Sequence, residues 1–217
     1  MVHACREMNR LGINHGTSGN VSVRVPGGFL VTPTGVPYDR LSPAQMVEMD
    51  IDGRHAGDVL PSSEWRFHRD ILARRPDANA VVHCHAMFAT TLAIARFEIP
   101  PLHYMVAAAG GPTIRCAPYA TYGTQELSDA ALVALEGRRA CLLANHGMIA
   151  IGRDLDAALR LAVEVEVLSA QYWRVLQVGG PKLLSDREID VVLGKFEDYG
   201  RQPGMERPRP ARRKGRR

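Results

Sequence analysis

The stretch Asn79-Ala-Val-Val-His-Cys-His-Ala86 is an apolar run with two histidines two positions apart. Alternate side chains of a β-strand share one face, so a strand here directs His83 and His85 together and Cys84 to the opposite side. The two Cα atoms then lie about 6.6 Å apart, which allows both imidazoles to reach one ion at about 2.0–2.1 Å. The stretch therefore predicts a strand that carries a chelating pair.

Two further residues favour a metal site over an ordinary packed histidine pair. His146 ends a second apolar run, Ala140-Cys-Leu-Leu-Ala-Asn-His146, and Glu64 supplies a carboxylate shortly before the first run. Three histidines without a spare cysteine pair are typical of a catalytic metal site with an open coordination position.

The composition indicates one soluble globular domain. The chain has 217 residues, of which 46% are hydrophobic and 23% charged. No apolar run approaches the roughly 20 residues that cross a bilayer, and the N-terminus lacks the layout of a signal peptide, so we expect no membrane contact and a cytoplasmic location. The four cysteines are scattered, with no Cys-x-x-Cys, which predicts reduced thiols.

The net charge of +4 is unevenly distributed. Residues 201–217 are rich in arginine and carry +7, which leaves −3 for residues 1–200. We therefore predict a catalytic domain over 1–200 and a basic, disordered tail over 201–217, with no nucleic-acid partner expected.

Periodicity and capping signals predict helices alternating with short strands. Ser62 and Ser63 are expected to cap a helix from Glu64 to about Arg75, with Glu64 in its first turn. His68, one turn further along, is interpreted as a surface or packing residue. Two capping boxes, Ser42 with Gln45 and Ser185 with Glu188, predict the starts of a short helix and of the last helix. The remaining predicted helices cover residues 2–11, 87–95, 126–135, 154–178 and 185–199, and predicted strands cover 21–25, 29–32, 47–51, 79–86, 113–117, 140–146 and 148–151.

Two loops of small residues follow or precede strands, at Asn14–Asn20 and Thr32–Tyr38. Their free backbone amides and hydroxyls could surround an anion.

Taken together, the motifs resemble those of the class II aldolase/adducin family, most closely its L-fuculose-1-phosphate aldolase group. The matching segments are Gly16–Asn20, Thr32–Gly35, Pro61–His68, His83-x-His85, Ile99–Gly111, Ala117–Gly123, Asn145–Gly147 and Leu184–Asp186. The similarity extends from about Cys5 to Tyr199.

This resemblance implies an α/β fold with three layers, a mainly antiparallel central sheet between helices, assembled as a homotetramer. It also implies one Zn2+ per subunit, held by His83, His85 and His146. The substrate phosphate would bind Thr17, Gly19, Asn20, Thr34, Gly35, Ser62 and Ser63.

The implied reaction is reversible cleavage of a ketose 1-phosphate, through an enediolate, to dihydroxyacetone phosphate and a small aldehyde. Zinc would act as a Lewis acid and Glu64 would transfer the proton at C3. Tyr104 from a neighbouring subunit would exchange a proton with the aldehyde oxygen, and Tyr122 and Tyr199 would lie at the aldehyde end.

Several alternatives stay open. The sugar could be L-fuculose 1-phosphate, 5-deoxyribulose 1-phosphate or 5-methylthioribulose 1-phosphate, since these share the phosphate half. A sugar-phosphate 4-epimerase or a dehydratase on the same fold is a rival enzyme. A non-catalytic adducin-like binding module is disfavoured because three ligands and an acid/base residue are all present.

Overall fold

A computed structural model describes residues 1–196, which form six α-helices, seven strands and two 3-10 helices. The α-helices are α1 (Val2–Arg10), α2 (Trp65–Arg74), α3 (Met87–Ile94), α4 (Gln125–Ala134), α5 (Leu155–Leu176) and α6 (Asp186–Phe196). The strands are β1 (Asn20–Val25), β2 (Gly28–Val31), β3 (Val47–Asp50), β4 (Ala80–Cys84), β5 (Cys116–Ala117), β6 (Ala140–Leu143) and β7 (Gly147–Gly152). The 3-10 helices are Pro43–Gln45 and Tyr104–Ala109.

All seven strands form one sheet in the order β3-β2-β1-β4-β7-β6-β5. Every neighbouring pair is antiparallel except β5 and β6, which are parallel. The predicted mainly antiparallel sheet is therefore confirmed.

Helices cover both faces of this sheet. One buried cluster contains Met8 of α1, Leu92 of α3 and Leu161 of α5. A second cluster, on the opposite face, contains Phe67 of α2 and Leu127 of α4. The three-layer α/β architecture expected from the resemblance is thus confirmed.

Strand β4 lies at the centre of the sheet, and all five of its residues are buried. Cys84 joins the α1, α3 and α5 cluster, whereas Val81 joins the α2 and α4 cluster. His83 lies on the same face as Val81, and its ring centroid is 5.4 Å from that of Phe67. The predicted division of His83 and Cys84 between the two faces is correct.

Two predicted strand ends are wrong. Strand β4 ends at Cys84, so His85 lies just beyond it, because the chain turns there through Ala86 into α3. Strand β6 ends at Leu143, which pairs with Gly147, so residues 144–146 form a three-residue hairpin loop. Asn145 adopts a φ of 56°, which reverses the chain, and His146 lies in this loop rather than on a strand.

Helix α2 begins one residue later than predicted, at Trp65. Glu64 occupies the N-cap position, and its carboxylate makes no capping hydrogen bond because it is directed at other side chains. The hydroxyl of Ser62 accepts a hydrogen bond of 3.3 Å from the Glu64 amide, whereas the Ser63 hydroxyl makes no such bond. The capping role predicted for the serines therefore applies to Ser62 only.

Other local predictions agree with the structure. The capping box of Ser42 and Gln45 forms, as does that of Ser185 and Glu188. All four cysteines are free thiols. Within residues 1–196, no helix is both long and apolar enough to cross a bilayer. The predicted end of the last helix at Tyr199 and the predicted basic tail lie outside the described residues.

Candidate active site

Strand register brings the three histidines to one end of the sheet. Cys84 of β4 pairs with Met148 of β7, so the residue that follows Cys84 and the loop that precedes Met148 lie side by side. These positions hold His85 and His146. The acidic Glu166 of α5 accepts hydrogen bonds from the first amides of α3, which anchors the chain immediately after His85.

The ligand nitrogens of His83, His85 and His146 all lie within 4.8 Å of one another. Their ring centroids are 4.8 to 5.0 Å apart, and each pair of rings meets edge-on. Nε2 of His83 lies 3.1 Å from Nε2 of His85. This is the convergence that the sequence predicts.

A backbone contact fixes the tautomer of His83. Its Nδ1 lies 2.9 Å from the carbonyl oxygen of Met148. Because a carbonyl only accepts, Nδ1 carries the hydrogen, and Nε2 is the nitrogen that faces the other two histidines and can ligate an ion.

His85 is also suited to bind a cation. Burial, together with the neighbouring His83 and His146, lowers its pKa to about 3. A neutral imidazole is the form that ligates metals.

Glu64 lies within the histidine cluster and is itself buried. Its Oε2 is 3.2 Å from Nε2 of His83, and its Oε1 is 3.2 Å from Nε2 of His146. Burial alone would raise the pKa of Glu64, but the facing His83 and His146 outweigh it and lower the pKa well below its usual range. Oε1 has no hydrogen-bond partner although it is inaccessible to solvent.

This donor set fits a metal ion. Three imidazole nitrogens converge, the tautomer of His83 leaves its lone pair available, and one buried carboxylate oxygen lacks a partner. Imidazole ligation suits several divalent transition metals, including zinc.

Glu64 is held by a chain of buried polar side chains that the sequence interpretation missed. Nδ2 of Asn20 donates to Oε2 of Glu64 at 2.9 Å, and Oδ1 of Asn20 lies 2.6 Å from Nε2 of His68. Nδ1 of His68 lies 2.7 Å from the hydroxyl of Ser22. His68 is fully buried, so of its two interpretations, a surface or a packing residue, the surface one is wrong.

The sequence does contain a signal for this chain of hydrogen bonds. Asn20 and Ser22 are polar residues two positions apart on an otherwise apolar strand, so they share one face. Glu64 and His68 are four positions apart along α2 and also face the same way. The register between β1 and β4, which places Asn20 beside His83, joins the two pairs.

A cavity of about 310 Å³ opens above the histidines and Glu64. Its wall includes His85, His146, Glu64 and all seven residues predicted to bind phosphate. These seven are Thr17, Gly19, Asn20, Thr34, Gly35, Ser62 and Ser63. No arginine or lysine is among the described residues that line this cavity.

Gly19 shows why this loop needs a residue without a side chain. A Cβ at Gly19 would lie 2.5 Å from Oδ1 of Asn14 and 2.8 Å from the carbonyl oxygen of His83. The hydroxyl of the buried Tyr38 donates to the Gly19 carbonyl, which fastens the loop from its other side. The loop is therefore packed directly against the histidine strand.

The three tyrosines predicted to act at the aldehyde end do not share one location. Tyr122 lines the mouth of the cavity and is 67% exposed. Tyr104 begins a 3-10 helix, stacks near His103, is 50% exposed and does not line the cavity of its own chain. Tyr199 lies outside the described residues.

Comparison with known proteins agrees with this arrangement. Residues 1–173 match the model of the family described as class II aldolase and adducin N-terminal domain. The 5-methylthioribulose-1-phosphate/5-deoxyribulose-1-phosphate aldolase of Rhodospirillum rubrum is 56% identical over 200 residues, covering 92% of this chain and 90% of the relative. The L-fuculose phosphate aldolase of Escherichia coli K12 is 53% identical over 201 residues, covering 92% and 94%.

Solved structures give the same assignment. A structure of L-fuculose 1-phosphate aldolase superposes with a TM-score of 0.88 at 38% identity, covering 90% of this chain and 93% of that one. The family inferred from the motifs is thereby confirmed. By its sequence over most of its length and by its fold, the chain belongs to the class II aldolase and adducin family.

Proposed function

We propose that the protein is a zinc-dependent aldolase that reversibly cleaves a ketose 1-phosphate into dihydroxyacetone phosphate and a small aldehyde. The observation that carries the proposal is the meeting of three histidines and one buried glutamate at the base of a cavity rimmed by small-residue loops. Membership of the family and two relatives named as aldolases support assignment as a class II aldolase, a lyase.

His83, His85 and His146 would hold one zinc ion per subunit. When bound, the ion supplies Lewis-acid stabilisation of the negative charge that develops on the ketone fragment. Cleavage between C3 and C4 produces such charge, so a neutral or anionic pocket alone would not favour it.

The phosphate would bind where the loops at residues 17–20, 34–35 and 62–63 meet. A phosphate monoester carries about −1.5 to −2 charges at neutral pH, and backbone amides near a helix N-terminus can bind it without a guanidinium group. The start of α2, immediately after Ser62 and Ser63, is such a terminus. Binding the phosphate there directs the sugar carbons toward Glu64.

Glu64 would transfer the proton at C3. In the cleavage direction, the electron pair of the C3–C4 bond stays with the ketone fragment, and C3 gains a proton as the C4 hydroxyl loses one. Glu64 delivers the proton to C3, and in the synthesis direction it removes it. General acid–base transfer of this kind is typically worth about 10²–10⁴-fold in rate.

Tyr104 would act in the cavity of a neighbouring subunit, since it does not line the cavity of its own chain. We therefore propose a homotetramer in which Tyr104 exchanges a proton with the aldehyde oxygen. Tyr122 and Tyr199 would shape the aldehyde end. The free buried thiols fit a reducing compartment, and we propose a cytoplasmic location.

The natural sugar is one of the three phosphates already considered, because the relatives are named for aldolases of all three. The test is to incubate the purified, metal-loaded protein with each phosphate and to measure dihydroxyacetone phosphate by the NADH consumed when added glycerol-3-phosphate dehydrogenase reduces it. We expect release from at least one. Absence of the product with all three would refute the lyase assignment, and conversion to an epimeric sugar phosphate would favour the 4-epimerase.

A further inference from the structure

We infer that His68 is a positioning residue which, through Asn20, fixes the orientation of the Glu64 carboxylate that exchanges the proton with the substrate. This inference rests on the proposed aldolase function. The residues concerned, Ser22, His68, Asn20 and Glu64, form one chain of hydrogen bonds from β1 to α2, back to β1 and back to α2.

The hydrogen-bond chain is short and almost entirely buried. Its successive heavy-atom distances from Ser22 to Glu64 are 2.7, 2.6 and 2.9 Å. Ser22 and His68 are fully buried, and Asn20 and Glu64 are each 4% exposed. Water therefore does not compete for these bonds, and each group depends on the next for a partner.

The donor and acceptor groups of these side chains allow the hydrogen bonds to run in one direction only. Ionised Glu64 only accepts, so the Asn20 amide presents Nδ2 to it and Oδ1 to His68. An amide oxygen only accepts, so Nε2 of His68 carries the hydrogen. Burial lowers the pKa of His68 to about 3, so the ring is neutral, and its Nδ1 accepts from the hydroxyl of Ser22.

The reversed chain is disfavoured while Glu64 is ionised. It would place Oδ1 of Asn20 about 2.9 Å from a carboxylate oxygen with no proton between them. Hydrogen bonds are therefore donated in sequence, from Ser22 to His68, from His68 to Asn20 and from Asn20 to Oε2 of Glu64.

The two carboxylate oxygens consequently differ. Oε2 accepts from Asn20, whereas Oε1 has no hydrogen-bond partner and lies 3.2 Å from Nε2 of His146, a residue of the cavity wall. The hydrogen-bond chain therefore holds one carboxylate oxygen in place and so fixes the orientation of the whole carboxylate. In cleavage, the proton carried by Glu64 passes to C3, which bonds it with the electron pair released from C3–C4, and Glu64 is left as the carboxylate.

Substitution at His68 tests this role. His68→Leu fills the buried space with an apolar side chain that lacks both nitrogens, so the Asn20 amide is free to rotate. We expect kcat to fall about 10–100-fold, as for other residues that orient a reactive group, with metal content little changed. His68→Gln supplies a donor for Asn20 and an acceptor for Ser22, and we expect it to recover most of kcat.

Ser128→Ala is the matched control. Ser128 is also a fully buried hydroxyl residue in a polar cluster, but it bonds Asp70 at the α2–α4 contact and does not line the cavity. Loss of its hydrogen bond should lower thermal stability and leave kcat unchanged.

A measurement that does not depend on turnover is the tautomer of His68. Nitrogen-15 NMR of the metal-loaded protein should show hydrogen on Nε2 and none on Nδ1, with the assignment made by comparison with His68→Gln. The opposite tautomer would overturn the inference, as would wild-type kcat in His68→Leu or loss of metal from that variant. If wild-type protein cleaves none of the sugar phosphates, the proposed function fails, whereas an active wild type with unaffected His68 variants refutes only the role of His68.

Discussion

Asn20 of β1 lies directly opposite His83 of β4 in the central sheet. The same Asn20 donates a hydrogen bond to Glu64, so one cross-strand pair connects the histidine cluster to the candidate acid/base residue. Both strands are hydrogen-bonded on both sides within the sheet. The geometry of the site is therefore set by strand register, which varies much less than the conformation of a surface loop.

Glu64→Gln should abolish most turnover while the metal stays bound. Glutamine keeps the size of the side chain but cannot take up or release the C3 proton, and the histidines remain as ligands. We expect kcat to fall by about 10²–10⁴-fold, measured alongside metal content. Glu48→Gln, a change at an exposed position on β3, is the control. Turnover close to wild type in Glu64→Gln would remove Glu64 from the mechanism.

His83→Ala should lose the metal. His83 is fully buried and its Nε2 lies 3.1 Å from Nε2 of His85, so alanine removes one of the three converging nitrogens. We expect elemental analysis to give about one zinc per chain for wild type, as for a three-histidine site, and almost none for the variant. The exposed His3→Ala should bind as much as wild type. A full complement of zinc in His83→Ala would exclude the proposed site.

Local patterns predicted much of the fold and part of the site. Alternation along residues 79–86 placed His83 and Cys84 on opposite faces, and capping boxes marked two helix starts. Pairings between distant segments were not predictable in this way. The hairpin at Asn145 and the end of β4 at Cys84 depend on where β7 lies, and the role of His68 depends on the register between β1 and β4.

The position of Glu64 illustrates the same limit. A glutamate after two serines favours a capping role in any isolated helix. In the folded chain its carboxylate instead contacts Asn20, His83 and His146, which come from three separate segments. Tertiary contacts override the local preference here, and such departures are typical of functional sites.

Gly147→Ala should weaken metal binding through His85. A Cβ at this position would lie 2.6 Å from the carbonyl oxygen of Cys84 and 2.8 Å from Cδ2 of His85, so the imidazole must move. We expect a loss of about 1–3 kcal/mol in stability from overpacking, and weaker zinc binding in a chelator competition. Gly194→Ala, in α6 with no atom within 4 Å of the added Cβ, should be neutral or slightly stabilising. Unchanged zinc affinity in Gly147→Ala would contradict the packing argument.

Asp70→Asn should reduce the loss of folding stability that occurs as the pH is lowered into the acid range. Burial alone would raise the pKa of Asp70, but hydrogen bonds from Arg69, Gln125 and Ser128 more than offset this and lower it from 3.8. The ionised form therefore stabilises the fold above about pH 3.8, and this contribution disappears as the pH falls through the lower, folded-state pKa.

At pH 7 we expect the Asp70→Asn variant to be less stable than wild type by about 1–3 kcal/mol, measured by urea unfolding. The difference should close in acid, below about pH 3.8. Asp58→Asn, at an exposed position, should behave as wild type throughout. A constant difference at all pH values would mean that the charge of Asp70 is not responsible.

Mixing two inactive variants should restore activity if Tyr104 acts in a neighbouring subunit. Tyr104→Phe retains Glu64 but lacks the phenol, and Glu64→Gln retains the phenol but lacks the acid/base group. In a mixed oligomer, a site built from the glutamate of one chain and the tyrosine of the other is complete. Coexpression of the two chains with different affinity tags, followed by purification on both tags, isolates such hybrids.

We expect the hybrids to recover a substantial fraction of the wild-type rate, whereas each variant alone stays inactive. Tyr119→Phe is the control tyrosine, because Tyr119 lines the cavity of its own chain. A loss of activity caused by Tyr119→Phe should not be rescued by Glu64→Gln, since both changes would damage sites within their own chains. If the Tyr104 hybrids stay as inactive as their parents, Tyr104 does not complete the site of a neighbouring subunit, and its exposure outside the cavity needs a different explanation.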